Sequence, residues 1–350
     1  MLRALVRKAV LWCMAIYYGI QVTYEILRES IKSGIFKAFQ VKTLSRPACL
    51  DDPTLGTHSY LHLEDVTIHY VASGPEDKPL MLFVHGFPEF WYSWRYQIRE
   101  FQKDYRVVAI DQRGYGDSDK PSGIDEYSVK KLVADIKHII IALGYESCIL
   151  VGHDWGGLVV WAFGRLYPDM VSRLIVMNVP PAPIFQKLAE KNKEQLKRSW
   201  YMFFFQLPYL PEIYVRLNNF EAMDYLFAGL KKRKHPFANG MQNPMSLEDT
   251  NAYKYTFSQP GAVTPTINYY RAALSRPGGT VYDLQYTMPV LLIWGYHDIA
   301  IVPLVPDMVE KENPKITVRR IQEAGHFVQM DTPDLTNKVM REWLNETKAI

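Results

Sequence analysis

Val151-Gly152-His153-Asp154-Trp155-Gly156-Gly157 is the stretch on which the fold turns. It follows the apolar run Cys148–Val151 and precedes Gly156–Leu166, whose composition suits a helix. A short continuous apolar run broken by glycine reads as a buried strand. Strand, sharp turn and helix together form the nucleophile-elbow arrangement, which presents one side chain above the end of a sheet. The glycines relieve crowding in the turn and let the new helix pack close to its neighbours. A serine would usually sit at the apex, but here it is Asp154. A carboxylate attacking an acyl carbon gives an anhydride, whereas one attacking an sp³ carbon gives a stable alkyl ester that water can cleave. Asp154 therefore points to displacement at carbon, opening an epoxide or removing a halide. The bland alternative is an aspartate that caps the following helix; the strand–Gly–x–Asp–x–Gly–Gly context weighs against it.

Outward from the elbow, strands and helices alternate. Val66, Ile68 and Tyr70 alternate with polar neighbours, which predicts a strand with one wet face. Leu80–Val84, ending at His85-Gly86, and Arg106–Ile110, ending at Asp111, read as buried strands, as does Leu174–Met177. Val129–Leu143 has apolar residues at helical spacing. This rhythm predicts an α/β fold with a mostly parallel central sheet and helices on both faces. From about Pro180 to Pro277 the chain turns aromatic- and proline-rich with no strong strand run, the pattern of an inserted helical cap. Strand-like runs resume at Val290–Trp294 and Ile316–Arg320, and a final helix covers about Leu335–Glu346. Residues 44–58, with Pro47, Pro53 and Gly56, read as a linker. The expected organisation is an anchor and linker over 1–50, a first core part over 51–180, the cap over 181–277 and a second core part over 278–350.

Hydrolysing an ester on Asp154 requires a base and a residue that orients it. Gly325-His326 lies in a loop after a predicted strand, and Asp298 lies just past the end of another. The chain order Asp154, Asp298, His326 is that of nucleophile, acid and histidine. His326 would deprotonate water while Asp298 fixes its tautomer and stabilises the imidazolium. Ester hydrolysis also builds negative charge on an Asp154 oxygen. The backbone N–H groups of Phe87, in His85-Gly86-Phe87-Pro88, and of Trp155 are the candidate donors to it; losing one such donor typically costs about 10²–10³ in rate. His85 itself reads as structural, since no metal-ligand partner is spaced near it. Epoxide opening further needs an acid, and a tyrosine fits, protonated at neutral pH with a reference pKa of about 10. The cap is rich in tyrosines, and composition does not choose among them.

The 350 residues are 48% hydrophobic and 22% charged, ample for a large core. The net charge of +3 hides an asymmetry: residues 1–46 hold eight basic and two acidic side chains, so the remainder is mildly acidic. Nucleic acid is not an expected partner. The chain has no zinc-protease His-Glu-x-x-His, no phosphate-cradling loop and no dinucleotide fingerprint, and its three cysteines show neither disulfide nor metal spacing. No cofactor or metal is expected. Ala9–Leu27 carries one charge, Glu25, and would span about 28 Å as a helix, close to the roughly 30 Å of a bilayer core. A cleaved signal lacks a small-x-small site after the apolar run. An amphipathic surface helix is the other alternative, since Gln21, Thr23 and Glu25 weaken the second half. An uncleaved single-pass transmembrane helix is the expectation, with the endoplasmic reticulum as the expected membrane and the side of the catalytic body unassigned.

His85-Gly86-Phe87-Pro88-Glu89, Asp111-Gln112-Arg113-Gly114-Tyr115-Gly116-Asp117-Ser118-Asp119, Gly152-His153-Asp154-Trp155-Gly156-Gly157 and Gly325-His326 together resemble the α/β-hydrolase-fold epoxide hydrolases over roughly residues 57–345. With the N-terminal segment, the resemblance is to the membrane-anchored animal branch of that family. It implies hydrolysis of epoxides to vicinal diols and a lid with two acid tyrosines. One precedes a Phe-Gln-x-Pro stretch, here Phe205-Gln206-Leu207-Pro208, which gives Tyr201; the other precedes an arginine in Asn268-Tyr269-Tyr270-Arg271, which gives Tyr270 with Tyr269 as its rival. An anchored enzyme with cap aromatics such as Phe203, Phe204, Phe205, Tyr209 and Phe227 suits lipophilic epoxides, of fatty-acid or xenobiotic type, although those residues serve equally as cap core. Two rivals remain. A dehalogenase uses the same nucleophile, but Phe87 and Trp155 stand where dehalogenases commonly place Asn or Arg. A silent membrane-tethered binding protein would keep the fold, yet every proposed role here is still occupied.

Overall fold

The computed structural model describes residues 2–42, 44–227, 245–275 and 284–347. The eight strands are β1 (Thr57–His62), β2 (Thr67–Ser73), β3 (Leu80–Val84), β4 (Arg106–Ile110), β5 (Cys148–His153), β6 (Val171–Met177), β7 (Val290–Gly295) and β8 (Thr317–Ile321). They form one sheet in the order β1-β2-β4-β3-β5-β6-β7-β8. β2 runs antiparallel to both neighbours, and every pair from β4 to β8 is parallel. β3, β5 and β7 are buried along their whole length, because helices cover both faces, and this is why they read as continuous apolar runs. Val129–Ala142 buries Leu132, Val133, Ile136, Ile139 and Ile140, one stripe at helical spacing. Between β3 and β5 the direction of strand addition reverses. The crevice at the carboxyl ends of these two strands is the place where open α/β sheets bind ligands.

Between β6 and β7 the chain leaves the sheet. Ala182–Lys191, Lys193–Arg198, Trp200–Phe204, Leu210–Phe227, Leu247–Ser258 and Val263–Ser275 are helices, the fourth broken at Leu217–Phe220. The described part of this insertion contains no strand; its expected end at Pro277 and the restart of the core at 278 lie outside the described residues. At the N-terminus, Leu2–Ser33 is one helix, of which Lys8–Ser33 is long and apolar enough to cross a membrane.

Three local expectations change. Residues 44–58 are not a bare linker: Ala48–Asp51 and Pro53–Leu55 are 3₁₀ turns that bury Leu50 and Leu55, and β1 begins at Thr57. β1 carries too few apolar residues to declare itself, being an edge strand held by its pairing with β2. β2 has no uniform wet face, because His69 is buried, with Nδ1 2.8 Å from the Asp111 carboxylate and Nε2 2.9 Å from His58. The helix after the elbow starts at Asp154 itself, two residues before Gly156.

Candidate active site

β5 ends at His153 and the next helix begins at Asp154, so the chain reverses direction with no intervening loop. Asp154 takes up the turn with φ +49°, a left-handed conformation that costs a non-glycine residue roughly 1–2 kcal/mol. Such strain persists only where the surroundings over-determine it. Here they do: a Cβ on Gly156 would lie 2.1 Å from the Val84 carbonyl oxygen, so only glycine lets this helix sit against the end of β3. The loop after β3 then brings the Phe87 N–H to donate to Asp154 Oδ1 at 2.8 Å. The Trp155 amide, the other expected donor, lies next in the chain and makes no such bond to the resting carboxylate.

The other Asp154 oxygen, Oδ2, faces His326 Nε2 at 3.5 Å. His326 lies in the loop after β8, and its Nδ1 donates to Asp298 Oδ2 at 2.8 Å. Asp298, just past β7, is fully buried and saturated: Oδ1 accepts from the Ala300 and Ile301 N–H groups at 2.7 and 2.9 Å, and Oδ2 also accepts from Asn178 Nδ2 at 2.7 Å. Asn178, the residue after β6, has φ +48° and closes a buried bracket by accepting the Gly295 N–H at 2.9 Å. The three residues expected from strand-end position are thus brought together, and Asn178, which sequence reading did not single out, is the fourth member. Its only signal is an Asn at the end of a buried strand, where αL geometry favours it.

Burial alone would lower the His326 pKa, but the flanking Asp298 and Asp154 carboxylates outweigh it and raise the pKa well above that of a free imidazole. Burial opposes ionisation of Asp154; its contacts with His326 and the Phe87 N–H win, and its pKa is lowered. The two therefore stabilise each other as an ion pair. A neighbouring carboxyl behaves oppositely: burial raises the Asp331 pKa to about 7, although it accepts the Gly325 N–H at 2.9 Å.

Tyr201 and Tyr270 meet above this pair, their ring centroids 5.6 Å apart. Tyr270 also packs edge-on to Phe87 at 5.3 Å and to Trp155 at 5.1 Å. Burial first, then the nearby Asp154 charge, raises the Tyr201 pKa; for Tyr270, burial and Tyr201 precede Asp154. Both phenols are held protonated. Tyr269 is directed elsewhere: its hydroxyl donates to the Arg113 carbonyl at 2.8 Å and its ring packs on Tyr115 and Tyr127. Phe205 lies 5.7 Å and Phe257 6.3 Å from Phe87, giving the space an aromatic wall.

A second acid–histidine pair supports the first. Glu89 is fully buried; its Oε2 accepts the Gly86 N–H at 2.7 Å and meets His153 Nδ1 at 2.6 Å, while Oε1 accepts Gln329 Nε2 at 2.7 Å. His153 Nε2 lies 2.8 Å from the His326 carbonyl oxygen. Burial opposes ionisation of Glu89, but His153 and the Gly86 N–H lower its pKa. Both His153 ring nitrogens then face acceptors, so the ring ties the loop after β3, the elbow and the His326 loop together. His85 has a structural place, with Nε2 accepting the Gln112 N–H at 3.1 Å and Nδ1 2.8 Å from the Gly86 carbonyl oxygen.

The chain is similar to known proteins over most of its length. The family described as alpha/beta hydrolase fold matches residues 79–333. Human "Epoxide hydrolase 4" is 40% identical, covering 99% of this chain and 94% of its own. "Epoxide hydrolase 3" of Xenopus tropicalis is 42% identical over 86% of this chain and 81% of its own. Among solved structures, an inhibitor complex of a Bacillus megaterium epoxide hydrolase superposes with TM-score 0.72 and 36% identity, covering 82% of this chain and all of the other. The chain belongs to the α/β-hydrolase-fold family. Within it, its relatives place it in the epoxide hydrolase group.

Proposed function

We propose that the protein hydrolyses epoxides to vicinal diols through an alkyl ester on Asp154. The observation that carries this is the Asp154 carboxylate with one oxygen on the Phe87 amide and the other toward His326, beneath two protonated tyrosines. Oδ2, outside the oxyanion contact, attacks an epoxide carbon; the C–O bond breaks and the ring oxygen takes a proton from Tyr201 or Tyr270. Ester formation removes the Asp154 charge, one of the two that hold the His326 pKa high. The tyrosinate recovers its proton at the expense of the imidazolium, leaving His326 neutral. His326 then takes a proton from water, whose oxygen attacks Asp154 Cγ. The negative charge forms on Oδ1, held by the Phe87 amide and, once it develops, the Trp155 amide. Collapse breaks the Cγ–O bond to the alkyl group and the diol leaves with the proton that His326 took from water. The proton left on the new Asp154 oxygen passes to His326, which restores the ion pair with one oxygen from water in Asp154.

The aromatic wall suits lipophilic epoxides, and the apolar Lys8–Ser33 helix supports attachment to a membrane. Dehalogenation through the same nucleophile is the second chemistry open to this site. The paired phenols favour a leaving group that needs a proton, which halide does not. Purified full-length protein should convert a lipophilic epoxide to its diol and release no halide from a matching alkyl chloride. Halide release without diol would transfer the function to the dehalogenases.

A further inference from the structure

Building on the membrane attachment proposed above, we propose that the bilayer meets this protein on a composite apolar face formed jointly by the N-terminal helix and the cap, so that Tyr209 and Ile213 of the cap touch lipid. At 3.6 residues per turn the helix divides into three stripes. Ala15, Tyr18, Gly19, Val22 and Ile26 form the first, and it is turned against the cap. Ala15, Val22 and Ile26 are buried. Tyr18 lies 6.2 Å from Trp200 and stacks on Phe203 at 6.3 Å. Leu207 and Leu210 approach Gly19 so closely that a Cβ there would lie 2.5 Å from Leu207 Cδ1. Further along, Ser33 Oγ meets Asn218 Oδ1 at 3.3 Å, and the Lys42 N–H donates to Asn219 Oδ1 at 2.9 Å.

Ile16, Ile20, Tyr24, Leu27 and Ile31 form the second stripe, all exposed, Ile31 at 80%. Gln21, Glu25, Arg28 and Lys32 form the third. With one side of the helix docked on protein and another polar from Gln21 to Lys32, lipid can cover only the second stripe over residues 21–32, the arrangement of a helix lying at an interface. The apolar face continues beyond the helix through Ile35 and Phe36, the latter 94% exposed. Exposed apolar residues border the docked helix on the cap too: Tyr209, 80% exposed, and Ile213 flank the same Leu210 that lies against Gly19. Exposed Lys37 and Lys42 follow, an excess of positive charge suited to anionic headgroups.

The placement bears on substrate. Trp200 and Phe203 pack on the N-terminal helix, while Tyr201, on the same short helix Trp200–Phe204, meets Tyr270 above Asp154. One helix separates the lipid-facing element from the acid, so epoxides dissolved in the bilayer are the class this face would deliver.

The test uses the full-length chain with Cys13 and Cys49 changed to Ser and the buried Cys148 retained. A nitrobenzoxadiazole label is placed through Tyr209→Cys, Ile213→Cys or, as a control on the C-terminal helix, Lys338→Cys. Vesicles of phosphatidylcholine and phosphatidylserine carry doxyl-labelled lipid. The expected result is flotation with the vesicles and quenching of both cap labels well beyond the control. Ile213→Asp should weaken vesicle affinity by about tenfold, the loss of roughly one buried aliphatic side chain's worth of partial insertion. Flotation with cap labels quenched no more than the control would overturn this inference and leave membrane attachment standing, the body then held clear of lipid. Absence of flotation would overturn both. Cross-linking between Tyr209→Cys copies without lipid quenching would assign the face to a second chain instead.

Discussion

Asp298→Asn exchanges one acceptor for a donor in a place where four donors converge. Oδ1 accepts from the Ala300 and Ile301 amides at 2.7 and 2.9 Å, and Oδ2 from Asn178 Nδ2 at 2.7 Å and His326 Nδ1 at 2.8 Å. However an asparagine turns, its NH₂ opposes two of these donors. His326 relieves the conflict by presenting a bare Nδ1 and carrying its proton on Nε2, the atom 3.5 Å from Asp154 Oδ2. That nitrogen then has no lone pair with which to take a proton from water. The imidazolium also loses its counter-charge; a unit charge about 4 Å away at an effective dielectric near 20 is worth ~4 kcal/mol, or roughly three decades in rate. Adding the tautomer penalty, ester hydrolysis should slow by about 10³–10⁴-fold, the scale seen when a triad loses its orienting carboxylate. Attack by Asp154 requires neither property and should stay within roughly tenfold of wild type. Rapid-quench mixing with intact-protein mass spectrometry reads both steps. One epoxide per site should disappear quickly, the protein should gain the mass of the substrate, and diol should follow slowly. Equal slowing of both steps, or turnover within tenfold of wild type, would refute the assignment of Asp298 to the histidine alone.

Tyr201→Phe and Tyr270→Phe should each slow alkylation by roughly 10²-fold, and together further still, while hydrolysis of a preformed ester is unchanged; the two phases of the same rapid-quench experiment separate these effects. A loss confined to ester hydrolysis would remove the tyrosines from epoxide opening. Asp331 gives a pH signature. Its folded pKa of about 7 stands above the unfolded carboxylate value of about 3.9, so its contribution to stability is fully present below the unfolded value and is lost as pH rises through 7. The shift corresponds to a loss on the order of 4 kcal/mol. Asp331→Asn, which keeps an acceptor for the Gly325 N–H, should therefore raise the melting temperature above wild type at pH 8 and match it near pH 4. Equal melting temperatures at pH 8 would show that Asp331 ionises there without strain.

What the sequence could disclose follows from the physics of each element. β3, β5 and β7 declare themselves because both faces are buried. Asp154 and Asp298 are legible because they stand just past β5 and β7, and His326, in the loop after the half-exposed edge strand β8, is legible because chain order relates it to them. β1 stays hidden because an edge strand owes its existence to a partner rather than to its own apolar content. Tyr269 and Tyr270 are adjacent on one helix and point about 100° apart, so only packing separates the hydroxyl committed to Arg113 from the ring beside Tyr201. Glu89 lies between Pro88 and the buried Phe90 and Trp91, an odd place for a charge, and its meaning appears only with His153 and Gln329 beside it. Asn178 is further removed, since its bracket joins the ends of β6 and β7 with the loop before His326. The N-terminal helix is legible as apolar from average hydropathy, but its three stripes separate only when one of them is seen against the cap.

The covalent route is tested most directly by a single turnover, enzyme in excess, of a lipophilic epoxide in ¹⁸O-labelled water, with the diol and the peptide containing Asp154 both analysed. Attack by Asp154 followed by water at its Cγ predicts unlabelled diol and one ¹⁸O atom in Asp154. Labelled diol with unlabelled Asp154 would mean that water attacks the epoxide directly and would contradict the covalent route.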